Sequence, residues 1–327
     1  IAAWKGGADW HVLEGLRLRA TRSRDVRAGS LAERLDVSGF GITIRDPFLA
    51  EAGQPIPAYA ITATRGANPA IDPEKGDTTT FGFVYQTEGS RPFALSADYF
   101  DIRIGNAIST PGVQNIIDRC FNETALQLCP LITRNETGLI ADVNNAVLNI
   151  ALARSRGIDV ETSWRSPVQL FGGAESIAFR ALGNYAIESS TTIADSGTRL
   201  DRVRQTGQSG GAPRWQANLS LAYRRDTLQV SIQQQLISAG IYSAQFAVAG
   251  PSAIDDNTIG SVTYTNLRAD WNPPAWPQLT LFGHVANVFD RAPPAGGDWG
   301  FAGSLPTNES LFDPIGRRVT LGVRYER

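Results

Sequence analysis

Arg17 and Arg19 alternate with Leu16 and Leu18, and this spacing of one polar side chain every second residue recurs along the chain. Gln216 and Asn218, Gln229 and Gln233, Asn266, Arg268 and Asp270, and the single Arg180 and Arg324 all fall in such alternating runs. Guanidinium, amide and carboxylate groups of this kind hold or guide a polar ligand by hydrogen bonds and charge pairing. Bond-breaking chemistry asks for more, namely acid, base or nucleophilic groups clustered at one point. Asp255 and Asp256 are adjacent, but no spacing ties them to a partner. His11 and His284 lie far apart, so pattern assembles neither a catalytic triad nor a metal cluster, and no cofactor is implied. The residues do not lead to the expectation of an enzyme.

Cys120 and Cys129 bracket the polar segment CFNETALQLC, with no histidine or CxxC nearby. A small disulfide loop suits this spacing better than a metal site, with two unrelated free thiols as the other reading. A disulfide would place the segment in an oxidising compartment such as the periplasm or the cell surface. The 30 basic and 32 acidic residues nearly cancel, which excludes the basic excess of a nucleic-acid binder. No run approaches the ~18 apolar residues of a membrane-spanning helix or holds a signal-peptide core. Methionine is absent even at position 1, so the chain is expected to be processed or to be a piece of something longer.

The elements that carry these side chains read as strands. In WQANLSLAY (215–223), Trp215, Ala217, Leu219, Leu221 and Tyr223 share one face, with Gln216, Asn218 and Ser220 on the other. LQVSIQQQL (228–236) and RVTLGVRYER (318–327) repeat the alternation, and helical periodicity is rare. The runs predict about eleven strands, near 1–12, 16–24, 77–86, 93–106, 144–164, 174–188, 212–224, 228–242, 258–271, 278–288 and 317–327. Their connections alternate strictly between short turns and long loops. In an up-and-down sheet this puts every short turn at one end and every long loop at the other, the pattern of an outer-membrane barrel. Apolar residues would then face lipid and polar ones the lumen. Trp164, Tyr223, Trp271, Trp276 and Tyr325 fall at the short-turn ends, where an interfacial aromatic girdle belongs. In FALSADYFDIRI (93–104) the apolar register changes phase, which predicts a β-bulge near Tyr99–Asp101.

Several segments resemble the barrel of TonB-dependent outer-membrane receptors. HVANVFDRAPP (284–294) is similar to that family's Asn-Leu-Phe-Asp segment, which closes the penultimate strand and opens the last extracellular loop. The Asn and Asp side chains are expected to bond the backbone where the ladder ends, while Pro293 and Pro294 stop further pairing. SRDVRAGSL (23–31), GANPAIDPEKGDTTTFG (66–82), SADYFDIRIGNAI (96–108), RSRGIDVETSW (154–164) and GRRVTLGVRYER (316–327) resemble further barrel segments. The likeness departs from the family at Ala67 and in ending on Arg327 instead of an aromatic residue.

The resemblance implies an all-β, antiparallel up-and-down transmembrane β-barrel. Family barrels have about 22 strands, so residues 1–327 are expected to be the C-terminal half of one, with the N-terminal plug domain absent from this chain. The implied function is part of an active transporter in the outer membrane of a Gram-negative bacterium. It would import a scarce ligand, such as a ferric siderophore or possibly an oligosaccharide, with TonB-relayed energy. Its partners would be outer-membrane lipid, a metal chelate or oligosaccharide, and the TonB complex, engaged through a plug and N-terminal segment not in this chain. No nucleic acid is implied. A passive porin or a structural barrel protein is the alternative. Candidate ligand-facing residues on the lumen wall, by parity, are Arg17, Arg19, Arg180, Gln216, Asn218, Gln229, Gln233, Asn266, Arg268, Asp270 and Arg324. Phe40, Tyr59, Phe246, Trp299 and Phe301 are loop aromatics that could stack on a ligand or equally pack the loops together.

Overall fold

The computed structural model describes residues 2–50, 56–122, 126–193, 199–207, 210–244, 255–296 and 306–326. Eleven strands follow one another in a single antiparallel meander, in which each pairs with the next in sequence. They are numbered here β1 (Trp4–Leu13), β2 (Leu16–Arg27), β3 (Glu74–Thr87), β4 (Phe93–Ser109), β5 (Leu148–Val168) and β6 (Glu175–Ile193). The path continues through β7 (Trp215–Arg225), β8 (Leu228–Ile237), β9 (Val262–Trp271), β10 (Leu279–Ala286) and β11 (Arg318–Tyr325). A short strand, Arg199–Asp201, adds to the outer end of β6. Strand count and order agree with the alternation. The predicted strands at 144–164, 228–242 and 258–271 are each a few residues too long, because their loop-side ends belong to the loops.

The turns show why the chain reverses where it does. Gly15 takes φ +78°, and a Cβ there would run into the Gln86 carbonyl oxygen, so the β1–β2 turn needs a glycine. Asp226 adopts φ 47° in the tight β7–β8 turn. The short turns share one end of the sheet with Trp164, Trp271, Trp276 and Tyr325, all exposed.

Strand pairing sorts the side chains onto two faces. Ala20, Phe81, Tyr99, Ile158 and Tyr185 stand in one row directly across β2, β3, β4, β5 and β6. Leu321, 80% exposed, and Trp10, 63% exposed, belong to the same apolar face. An exposed apolar surface this continuous marks a side that meets a membrane or a partner.

β4 departs from the expected bulge. Pairing with both neighbours runs unbroken from Phe93 to Ile104, and the register shifts only after Ile104, where Asn106 has φ 53°. Phe100, Ile102 and Ile104 therefore stay on the polar face, and Asp101 and Arg103 on the apolar one. The reason is local. Phe100 lies over Gly157, where a Cβ would meet its ring at 2.8 Å, and Arg154 neutralises Asp101 at 2.7 and 3.0 Å. No phase correction is needed.

The long loops are folded. Hairpin Ser38–Arg45/Ala58–Arg65 from the β2–β3 loop packs on helix Val113–Phe121 and hairpin Ile132–Arg134/Ile140–Val143 from the β4–β5 loop. Ile44, Ile61, Ile116, Ile117 and Val143 form their shared core. A disulfide between Cys120 and Cys129 closes the end of that helix. A second core joins the later loops around Ile237, Tyr242, Ile259, Tyr264 and Phe312.

Candidate functional site

On the polar face, rows of side chains cross the wall. One row runs Asp9, Arg19, Gly82, Asp98, Asp159, Asn184 and Gln216 from β1 to β7. Arg19 and Asp98 sit two strands apart yet form a two-pronged ion pair, with Nε 2.7 Å from Oδ1. Gly82 makes this possible: a Cβ there would occupy the place of the Asp98 carboxylate. Along the same face Arg180 donates to Glu161 at 2.7 and 3.1 Å. Asn184 donates to Asp159 at 2.6 Å, and Arg17 lies 3.6 Å from Asp9.

Three shallow depressions result, two of which gather several of the candidate residues. The first is lined by Arg19, Asp98, Asp159, Glu161, Gln216 and Asn218. The second is lined by Gln233, Asn266, Arg268 and His284, among others. In the second, Arg268 donates to Asp270 at 2.8 and 2.6 Å, and its guanidinium stands 5.3 Å from the centre of the Phe282 ring. Phe282 in turn covers Gly322, whose Cβ would clash with the ring.

The structure thus gathers Arg19, Gln216 and Asn218 in one place and Gln233, Asn266 and Arg268 in another. Arg180 lines the third, with Gln86, Ser163 and Ser220, and reaches the first through Glu161. Gln229 lies opposite Arg224 and Asp270 near the short turns, and Arg324 stands apart on β11, 3.8 Å from Glu326. The arginines chosen by parity already hold carboxylates, so they present balanced pairs. Asp98, Asp159, Glu161 and Asn184 were missed, although their positions opposite Ala97, Val160 and Tyr185 in the alternation carried the signal. Phe246, Trp299 and Phe301 lie outside the described residues.

Tyr59 has a structural position. Its hydroxyl donates to Asp46 at 3.0 Å and accepts from the Ile140 amide at 2.8 Å. Asp46, fully buried, also accepts from Arg134 at 2.8 and 2.9 Å and from the Phe48 amide at 3.2 Å. Burial pushes the Asp46 carboxyl up, but Arg134 and Tyr59 outweigh it and hold it below its ordinary value. Phe40 packs against the same loop core.

A meander with one apolar and one polar face, short turns at one end and long folded loops at the other, defines the wall of a transmembrane β-barrel of the outer-membrane kind. No helix among the described residues is long and apolar enough to cross a membrane. The sequence profile of the TonB-dependent receptor-like β-barrel matches residues 2–288, and the chain belongs to that family. Receptors of this family are outer-membrane proteins. Among curated proteins, no relative matches the sequence.

Among solved structures, the wall is similar to a ferric enterobactin receptor (PfeA) from Pseudomonas aeruginosa in complex with enterobactin. There the TM-score is 0.61 at 16% identity, over 98% of this chain and 40% of that one. It is also similar to the FrpB iron transporter from Neisseria meningitidis, with TM-score 0.58, 16% identity, and 99% and 39% coverage. A third is the copper transporter OprC, with TM-score 0.53, 14% identity, and 97% and 38% coverage. At these identities the likeness shows the fold alone, and the chain spans about 40% of the length of the first of these receptors. On the family's fold, the polar face lines the lumen and the apolar face meets lipid. The apolar groove bounded by Trp10, Leu18, Phe81, Tyr99 and Ile158 is therefore a lipid-facing feature.

Proposed function

We propose that this chain forms part of the wall of an outer-membrane active transporter that imports a scarce, polar small molecule. A metal chelate such as a ferric siderophore is the leading ligand class, and energy arrives through TonB by way of a plug outside this chain. Residues 1–327 would supply the C-terminal part of a larger barrel.

The observation that supports this reading is the balanced lumen wall. Arg19, Arg180 and Arg268 are each paired with a carboxylate at 2.6–3.1 Å, and amides fill the spaces between them. A path must engage its cargo at many sites, none strong enough to trap it. Paired charges and amides do that for a chelate rich in carbonyl and hydroxyl oxygens, whereas unpaired arginines would bind an anion tightly. The folded loop cap supports capture, because pre-ordered loops lose less entropy on closing over a ligand.

The test is uptake of radiolabelled ferric chelates by iron-starved cells with and without the gene, each in the presence and absence of TonB. Uptake that requires both is expected. Entry that persists without TonB would refute active transport and favour a passive porin.

A further inference from the structure

The lipid-facing side of the wall ends abruptly toward the long loops. Beyond the row Ala20, Phe81, Tyr99 and Ile158, the next outward row reads Arg22, Thr79, Asp101, Arg156 and Glu188. The row after that reads Arg24, Asp77, Arg103 and Arg154. Three strands switch from apolar to charged at the same hydrogen-bonded row. A bulge between Ala186 and Glu188 brings Glu188 into the charged row on a fourth.

On these two rows five arginines face three carboxylates, and beside them Arg199 reaches both Glu188 and Asp201, at 2.8 and 3.4 Å. Asp77 pairs with Arg24 at 2.9 Å, Asp101 with Arg154 and Arg103 at 2.7 and 2.9 Å, and Glu188 with Arg156 at 2.8 Å. Arg22 has no carboxylate partner among the described residues and donates only to the Thr79 hydroxyl. Arg103 remains 57% exposed despite its pairing. Positive charge is left over, aimed outward and directly above the apolar band. The feature is confined to one arc, because on β8 to β11 every outward strand position is uncharged, from Leu228 to Tyr325.

We propose that this arc is a docking site for the phosphorylated headgroup of a lipid in the leaflet at the long-loop end. Its acyl chains would lie along Phe81, Tyr99 and Ile158, and its phosphate would be held by Arg22 and Arg103. Guanidinium groups bind phosphate oxygens in paired, charge-assisted hydrogen bonds, and a site beside lipid-exposed apolar residues selects a phosphate that carries chains. The carboxylates are not competitors for the anion, since each is occupied by an arginine. Asp77 and Asp101 hold Arg24 and Arg154 upright as a frame. The proposal rests on the reading that this wall lies in an outer membrane with its long loops outward. It does not depend on which ligand is transported or on TonB.

The receptor carrying this chain, purified in detergent, is mixed with a diphosphorylated glycolipid or its dephosphorylated counterpart, and retained lipid is counted by native mass spectrometry. The expected result is selective retention of the phosphorylated form. Each arginine near a lipid surface contributes about 5-fold in affinity. Arg22→Gln with Arg103→Gln should therefore weaken retention ~25-fold, while the corresponding lysine pair keeps most of it. A heat-modifiable band on gels establishes that each variant is a folded barrel. Equal retention of both lipids by the unaltered protein overturns the proposal without any variant. So does displacement by inorganic phosphate at the lipid's own concentration, which would reassign the site to a free anion. Lipid selectivity in a protein that shows no TonB-dependent uptake would sink the transport reading and leave this one standing.

Discussion

Replacing Arg134 with alanine should loosen the loop cap while leaving the barrel wall intact. Asp46 is completely buried and receives two of its four hydrogen bonds from Arg134. The same guanidinium lies 4.7 Å from the Phe48 ring centre and donates to the Gly138 carbonyl at 2.6 Å. Removing one partner of a buried pair costs about 3–5 kcal/mol, because the remaining charge is left without compensation. Arg134 keeps 29% exposure, so the lower end applies, and ~3 kcal/mol corresponds to a roughly 150-fold rise in cap opening. Hydrogen exchange at the Ile140 and Asp46 amides reads this directly, since they bond Tyr59 and the Pro57 carbonyl inside the cap.

The pH dependence adds a signature. In the unaltered protein the Asp46 carboxyl lies below its ordinary 3.8. The pair's contribution is thus complete above that value and is lost as pH falls through the folded one. In the variant burial is opposed only by Tyr59 and the Phe48 amide, so protonating Asp46 relieves the stranded charge and the deficit should shrink as pH is lowered. Unchanged protection at both amides would refute the role given to this pair. Equal loss of protection in β4 and β5 would refute the cap as a separate folding unit.

Other outcomes follow from the same contacts. Reducing the Cys120–Cys129 bond should destabilise the cap by about 2–3 kcal/mol on the chain-entropy account, seen as faster proteolysis between residues 110 and 147 with β-sheet circular dichroism unchanged. Glu33 is held at about 2 by Arg27 and the Ser30 backbone, well below its ordinary 4.5. Its capping contact with Ser30 should persist as pH falls through 4.5 and fade only near 2, a course that nuclear magnetic resonance titration of the carboxyl would follow. Gly157→Val would push a side chain into the Tyr185 carbonyl at 2.7 Å and the Phe100 ring at 2.8 Å. Overpacking of this kind costs about 1–3 kcal/mol, which should lower the temperature at which the barrel unfolds on heat-modifiability gels. Gly82→Ala should separate Arg19 from Asp98 and shift the infrared carboxylate band of the lumen wall; an unchanged band would contradict the bridging role of Gly82.

What the amino-acid sequence determined by itself is the part of this protein governed by neighbours in the chain. Period-2 alternation in WQANLSLAY and LQVSIQQQL specifies strands and their two faces, because successive side chains on an extended backbone point in opposite directions. The end of β10 was legible for the same reason. Asn287 and Asp290 both take positive φ, Asn287 exchanges hydrogen bonds with the Arg291 backbone, and Asp290 accepts from the Arg317 amide. A single asparagine and a single aspartate encode that stop. The disulfide was legible as well, since nine positions bring both cysteines into one loop.

Tertiary structure alone decided what depends on registry between strands distant in sequence. Arg19 and Asp98, 79 residues apart, meet only because β3 places a glycine between them. The phase change in β4 looked like a bulge because parity was judged along one strand, whereas Arg154 on β5 makes an outward Asp101 acceptable. Strand alternation assigns no order to the long loops, whose order comes from contacts such as Arg134 with Asp46, 88 residues apart. The arginine row above the apolar band exists only across strands, where hydrogen-bonded pairing aligns residues that no stretch of sequence places side by side.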